Sequence, residues 1–272
     1  MGRLRRNFVN PWRALLVSGI FFSPFISMNL STNTILITGG ASGIGLALAV
    51  RFLQAGSTVI AVGRRADKLA EAQQLHPALI TRVADVADAA ERVELARWAA
   101  ATYPRLNVLV NNAGIQNRIQ LAEEGADWDT RRQEIVINVE APIHLSTLLI
   151  PHLRQQAGAA IVNVTSGLSF APAAFVPIYS ATKAALHSFT LSLRHQLKPT
   201  GIAVLEIVPP AVNTDLGGPG LHTFGVNVDE FADSVMARLA AGEEEVGYGT
   251  SEKSRLASRA ELDEVFRMMN NR

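Results

Sequence analysis

Thr34-Ile35-Leu36-Ile37-Thr38-Gly39-Gly40-Ala41-Ser42-Gly43-Ile44-Gly45 is the stretch on which the reading of the fold turns. A short, mostly apolar run leads straight into a glycine-rich turn, and a helical pattern follows over Leu46–Gln54. A continuous apolar run bounded by a turn reads as a strand buried on both faces, the kind found in parallel sheets. Gly39 and Gly43 allow the backbone to turn tightly, and Gly45 allows the helix to pack close to the strand. The spacing is G-x-x-x-G-x-G, so its weight comes from standing between a strand and a helix. There the helix start, with Ser42, Gly43 and Ile44, offers free N–H groups suited to the phosphates of a dinucleotide.

Outward from this turn, short apolar runs alternate with longer helical stretches. Thr58–Val62, Leu79–Val83, Val108–Val110, Ala160–Thr165, Val204–Val208 and Glu245–Tyr248 read as further strands. Helices are expected over Ala66–Gln74, Ala89–Ala101, Trp128–His152 (kinked at Pro142), from Pro177 to Leu197, and over Asp229–Ala241. Alternation of this kind predicts an α/β fold, a doubly wound parallel sheet between two helical layers. Residues 28–272 show no repeat or linker and are expected to form one domain.

Composition narrows the function. A net charge of +1 and the lack of a basic stripe argue against a nucleic-acid partner. With no cysteine, disulfides and thiol chemistry are excluded. His144, His152, His187 and His195 are scattered without metal-ligand spacing, so no metal is expected. Residues 1–27 differ from the rest: Arg3, Arg5 and Arg6 precede an apolar stretch from Ala14 to Ile26, interrupted by Gly19 and Pro24. We read them as an extension upstream of Met28, with a membrane-associating segment and an export signal as the alternatives. Membrane contact is expected through these residues alone, and the location is expected to be cytoplasmic.

The end of the second strand speaks to the cofactor. NAD-binding folds place a carboxylate there for the ribose hydroxyls. Here Gly63-Arg64-Arg65 occupies the position, and no acid comes before Asp67. A guanidinium binds a 2′-phosphate that a carboxylate would repel, so Arg64, with Arg65 beside it, points to NADP(H), with NAD(H) the second candidate. Asp85 and Val86, after the third strand, are expected to meet the adenine.

Tyr179-Ser180-Ala181-Thr182-Lys183 carries the chemistry. Residues i and i+4 share a helix face, so phenol and ammonium can enter one site. Positive charge from Lys183 and an oxidised nicotinamide is expected to lower the phenol's pKa, so that Tyr179 gives a proton to a carbonyl or takes one from an alcohol. Ser166, just past the fifth strand, is placed to stabilise the developing oxyanion.

Together these features resemble the short-chain dehydrogenase/reductase family, in its single-domain branch. The resemblance rests on the T-G-x-x-x-G-x-G turn, Asn111-Asn112-Ala113-Gly114, Asn138, Ser166, and Tyr179 with Lys183, in that order, and covers nearly everything from Met28 onward. It implies a Rossmann-type fold with Ser166, Tyr179, Lys183 and Asn138 as the catalytic set, Asn138 helping to hold a water linked to Lys183. It also implies that Lys183 holds the nicotinamide ribose and that Asn112, Ala113 and Gly114 steady the sheet and contact the adenosine ribose. After the sixth strand the family has Pro-Gly, whereas this chain has Pro209-Pro210. Val212 and Thr214 are still expected at the nicotinamide carboxamide. The stretches LNVLVNNAGIQ (106–116), VPPAVNTDL (208–216) and EVGYGTSEKSRLASR (245–259) are similar to a DltE-like bacterial subgroup.

The expected partner is a small carbonyl or alcohol, beneath a glycine-rich lid over Leu216–Val228. Phe170, Phe175, Leu216 and Phe224 are candidates for an apolar wall, and Gln116 and Asn117 for polar contacts. The resemblance implies a homodimer or homotetramer, with Ile135, Val139 and Leu145 either at that interface or in the core. The rival reading, a catalytically silent nucleotide-sensing protein, predicts loss of Tyr179, Lys183 or Ser166, and all three are present. An epimerase or dehydratase of the extended branch would need a larger C-terminal substrate region than this chain carries.

Overall fold

The computed structural model describes residues 28–122 and 127–271; the expectations for residues 1–27 fall outside this range. Seven parallel strands form one sheet in the order β3-β2-β1-β4-β5-β6-β7. They are β1 (Thr34–Thr38), β2 (Thr58–Gly63), β3 (Ile80–Val83), β4 (Val108–Asn111), β5 (Ala160–Val164), β6 (Ala203–Val208) and β7 (Glu245–Gly247). The helices between them are α1 (Gly43–Gln54), α2 (Ala66–Leu75), α3 (Ala89–Thr102), α4 (Trp128–Ile135), α5 (Ala141–Leu153), α6 (Pro177–Leu197) and α7 (Val228–Ala240). This is the doubly wound, three-layer α/β/α arrangement expected of the sequence.

Successive side chains of a strand point to opposite faces, and the two cores follow that rule. Ile35, Ile37, Val59, Ala61, Val108 and Val110 pack with α1 and α7 residues such as Phe52 and Phe231. Leu36, Ile60, Val62, Leu109 and Ile161 pack on the other face with Leu95, Leu145, Leu149 and Leu193. Leu145 therefore belongs to the interior, whereas Ile135 is largely exposed.

Strand order reverses between β1 and β4, the two strands flanking the central crevice. Ligands of open α/β sheets bind beyond the carboxyl ends of the strands at such a switch point. The glycine turn after β1 and the Asn112–Gly114 segment after β4 meet there.

The long helix expected over Trp128–His152 is interrupted, as its proline foretold, although the break has another form. Between α4 and α5 the chain makes a π turn over Val136–Glu140, and the N–H of Ala141 donates to the carbonyl of Val136. Pro142 explains it. Its ring has no N–H for the carbonyl of Asn138 and would press on that carbonyl in a regular helix. A wider turn relieves the clash, and Asn138 lies within it.

Two further helices, α8 (Thr250–Leu256) and α9 (Arg259–Asn270), follow β7 and were not anticipated. The signal was present in Ser258-x-x-Glu261, which forms a capping box at the start of α9. Among the described residues, no helix is long and apolar enough to cross a membrane.

Candidate active site

The glycine turn is built as its sequence suggested. Gly39 and Gly43 take φ values of 65° and 53°, in the left-handed region that side chains disfavour. A Cβ on Gly45 would lie 2.3 Å from the Gly39 carbonyl oxygen and 2.4 Å from Asn112 Nδ2. Gly45→Ala should therefore displace the turn and lower stability by about 1–3 kcal/mol, which melting and NADPH titration would measure together. An unchanged melting temperature and unchanged titration would show that the turn tolerates the methyl.

Asn112 holds the turn in place. Its Nδ2 donates to the carbonyls of Thr38 at 2.9 Å and Gly39 at 3.2 Å, and its N–H donates to Thr38 Oγ1 at 3.1 Å. The Ala113 N–H shares that hydroxyl at 3.1 Å. Ser42 is the N-cap of α1, yet its side chain caps no N–H, and the first turn carries no acidic residue. The first N–H groups of α1, around Gly43 and Ile44, thus remain available to an anion.

The arginines after β2 are both exposed. Arg65 Nη2 donates to Ser42 Oγ at 3.2 Å, which brings its guanidinium onto the glycine turn. The sequence reading put Arg64 first; the structure brings Arg65 to the turn. At the end of β3, Asp85 Oδ1 accepts from the Ala87 N–H at 2.9 Å, and the Val86 carbonyl accepts from Arg92 Nη1 at 2.7 Å. Beyond β6, Thr214 faces the turn, its Cγ2 standing 3.2 Å from where a Gly43 Cβ would be. Val212 is buried and bridges to Val226, so the segment over Leu216–Val228 is tied back to the site at its far end. Near its start it packs through Gly217 against Gln116.

Ser166, Tyr179 and Lys183 are all buried, at 7%, 6% and 3% exposure. Ser166 follows β5 and its Oγ accepts from the Leu168 N–H at 3.1 Å. Pro177 starts α6, setting Tyr179 and Lys183 one turn apart. Lys183 Nζ donates to the Val164 carbonyl at 2.8 Å and sits 5.6 Å from the centroid of the Tyr179 ring. Burial lowers the Lys183 pKa to about 8.

Among the protein's own groups, the balance on the phenol runs opposite to the expected direction. Burial pushes the Tyr179 pKa well above its ordinary value; the Ser166 hydroxyl acts in the opposite direction, and Glu134 adds to the rise. Desolvation disfavours the phenolate more than its polar neighbours favour it. The Lys183 ammonium is directed at a backbone carbonyl and does not reverse the balance.

Asn138 also differs in detail from its expected part. Its Oδ1 accepts from the Ile115 N–H at 2.9 Å, and its Nδ2 donates to the Ile115 carbonyl at 2.9 Å and to Thr182 Oγ1 at 3.1 Å. The side chain is thus fully engaged in bracing the loop after β4 against α6. Pro142, four residues on, has no N–H to offer its backbone carbonyl. Gly114 lies between the two, since a Cβ there would come 3.3 Å from Asn138 Oδ1 and 3.6 Å from Lys183 Nζ.

Two buried carboxylates were missed from the sequence. Glu134, one turn before Asn138, accepts from the Asn117 N–H at 2.9 Å, while its Oε2 is buried without a partner. Burial raises its pKa. Glu206 on β6 is completely buried and accepts from Thr165 Oγ1 at 2.6 Å. It pairs with His187 Nδ1 at 2.9 Å, so His187 is a satisfied histidine. Nothing in a single sequence distinguishes these acids from exposed ones, because their burial comes from packing between elements. Of the proposed wall residues, Phe170 packs on His187 with ring centroids 4.7 Å apart and the rings tilted by 60°, and Phe224 is exposed. Leu216 packs beside Tyr179.

A parallel nucleotide-type sheet with Ser, Tyr and Lys gathered beyond its central strands defines an oxidoreductase class, and the chain belongs to the short chain dehydrogenase family, whose profile matches residues 33–221. It is of the DltE-like type. It is 47% identical to the oxidoreductase DltE of Bacillus subtilis (strain 168) over 248 residues, covering 89% of this chain and 98% of the relative. Among solved structures it resembles a short chain dehydrogenase from Burkholderia cenocepacia J2315 in complex with NADP (TM-score 0.76, 25% identity, 88% of this chain and 99% of that one). It also resembles a short-chain dehydrogenase from Sphingobium yanoikuyae in complex with NADPH (TM-score 0.71, 27% identity, 86% and 92% covered). The chain is a dehydrogenase/reductase enzyme.

Proposed function

We propose that this enzyme is an NADP(H)-dependent oxidoreductase acting on a small carbonyl or alcohol, with Tyr179 as its general acid/base. The observation that carries the reading is the burial of Tyr179, Ser166 and Lys183 together beyond the sheet, next to an uncapped helix start framed by Gly39, Gly43 and Gly45. These residues fit a dinucleotide: the turn leaves no room for side chains, and the α1 N–H groups suit its phosphates. When bound, the nicotinamide supplies or accepts the hydride.

In this reading Gly39, Ser42, Gly43, Ile44 and Gly45 hold the phosphates, and Asp85 and Val86 border the adenine. Asn112, Ala113 and Gly114 lie along the ribose, and Val212 and Thr214 meet the carboxamide. Ser166 orients the substrate oxygen and stabilises charge developing on it. Tyr179 gives its proton to that oxygen in reduction and takes one back in oxidation. Lys183 holds the nicotinamide ribose hydroxyls and passes protons toward a water that Asn138 helps to hold. Residues 28–272 form the oxidoreductase domain, working in the cytoplasm as a homodimer or homotetramer.

Arg65, with Arg64, provides the preference for NADP(H) over NAD(H), in keeping with the NADP and NADPH complexes of the two structural relatives. Arg65→Ala should weaken NADPH binding about 10- to 100-fold and leave NADH binding nearly unchanged, as expected for one charge-assisted contact. The same titrations on Arg64→Ala rank the two arginines. Equal losses for both cofactors would contradict a phosphate contact. The function itself is tested by following NADPH oxidation over a panel of aldehydes, ketones and quinones; no turnover of any would sink it.

A further inference from the structure

The last two helices lie outside residues 33–221, which the family profile matches. No residue of α9 is buried, so the helix adds little to the core. Its final turn is nonetheless tied to the segment leading into α6. Asn270 Oδ1 accepts from the Ala174 N–H at 2.6 Å, and Asn270 Nδ2 donates to the Pro172 carbonyl at 3.1 Å. These bonds clasp the backbone just ahead of Tyr179.

The residue beside this clasp reaches the catalytic phenol's surroundings. Met269, Leu168 and Leu216 pack around the cluster of Ala173, Val176 and Tyr179. Three segments distant in sequence thus meet in one apolar wall: the β5–α6 connection, the stretch after Thr214, and the end of α9. Phe175 and Phe266, both partly exposed, extend apolar surface outward from the clasp. Arg118 borders this surface, its guanidinium 5.1 Å from the Phe175 ring centroid and so engaged by it. A methionine in such a wall is unbranched and adapts its shape to what lies against it.

We propose that α9 is the substrate-side wall of the active site, with Met269 setting the size of the group accepted beside the reacting carbon and Asn270 holding Met269 in place. The substrate class that follows is an uncharged carbonyl or alcohol bearing an aliphatic or aromatic substituent. This rests on the oxidoreductase reading above.

The test uses the full chain, NADPH and a series of straight-chain aldehydes from propanal to decanal, with benzaldehyde. Met269→Ala should raise kcat/KM for the long aldehydes relative to propanal about tenfold, the scale set by one or two methylenes in an apolar pocket. Its affinity for NADPH should not change. Met269→Leu, which conserves volume, should keep the wild-type ratios, separating pocket size from general damage. Asn270→Ala should raise KM more than it lowers kcat, and should speed hydrogen exchange of the Ala174 amide. Unchanged aldehyde ratios in Met269→Ala would overturn the wall, and unchanged Ala174 exchange in Asn270→Ala would overturn the clasp, both with the oxidoreductase reading intact. A wild type that oxidises NADPH with a ketone or quinone but with none of these aldehydes would overturn this proposal alone. No turnover of any carbonyl in the wider panel would overturn the oxidoreductase reading and the proposal with it.

Discussion

Tyr179→Phe is expected to lower kcat by about 10²–10⁴-fold, the usual worth of a positioned acid/base group, while NADPH binding hardly changes. Phenylalanine fills the same buried space, so the fold and the apolar cluster with Val176 and Ala173 should persist. Only the hydroxyl is lost. Because burial raises the Tyr179 pKa, the phenol keeps its proton near neutral pH, which suits donation to a carbonyl. Taking a proton from an alcohol needs the phenolate, so the oxidation rate should climb with pH more steeply than the reduction rate. Stopped-flow kinetics in both directions, with a parallel NADPH titration, checks each part. Unchanged turnover in Tyr179→Phe would remove the phenol from its role.

The second large effect lies behind the site. His187→Ala should destabilise the protein by about 3 kcal/mol, because it strands the fully buried Glu206 carboxylate with Thr165 as its remaining donor. In a chain of this size that corresponds to a melting point lowered by roughly 6–12 °C. Removing the stranded charge should recover part of the loss, so His187→Ala/Glu206→Gln should melt above His187→Ala alone. Should the double variant melt lower still, the charge is not the cause.

The same pair makes stability depend on pH. Hydrogen bonding to Glu206 raises the His187 pKa above its ordinary value of about 6.5, with burial opposing and Arg194 also acting against the charge from a distance. The pair's contribution is therefore complete below about 6.5 and is lost as pH rises through the higher folded value. A melting series across this window should slope downward in the native protein and flatten in His187→Ala. Equal slopes would place the titration elsewhere. Because Thr165 immediately precedes Ser166, the pair also anchors the strand end from which the Ser166 hydroxyl is presented.

What could be read before folding was whatever depends on neighbours along the chain. The β1 turn needs glycine at Gly39 and Gly43 for steric reasons local to those residues, and Tyr179 and Lys183 share a face because a helix turns every 3.6 residues. Pro142 announced an interrupted helix because its missing N–H is a property of the residue itself. Where the Asn138 side chain goes, bracing Ile115 from within the π turn, was settled by the loop after β4 packing against it.

Sequence by itself determined the doubly wound sheet, the order of its strands along the chain and the residues gathered beyond it, since each follows from local pattern and residue chemistry. Tertiary structure alone decided which way the Tyr179 pKa moves, which arginine meets the turn, that Glu134 and Glu206 are buried, and that Met269 packs on the cluster of Ala173, Val176 and Tyr179. These depend on desolvation and on contacts between segments far apart in the chain, and no short-range pattern encodes how much water a side chain loses when distant elements close over it.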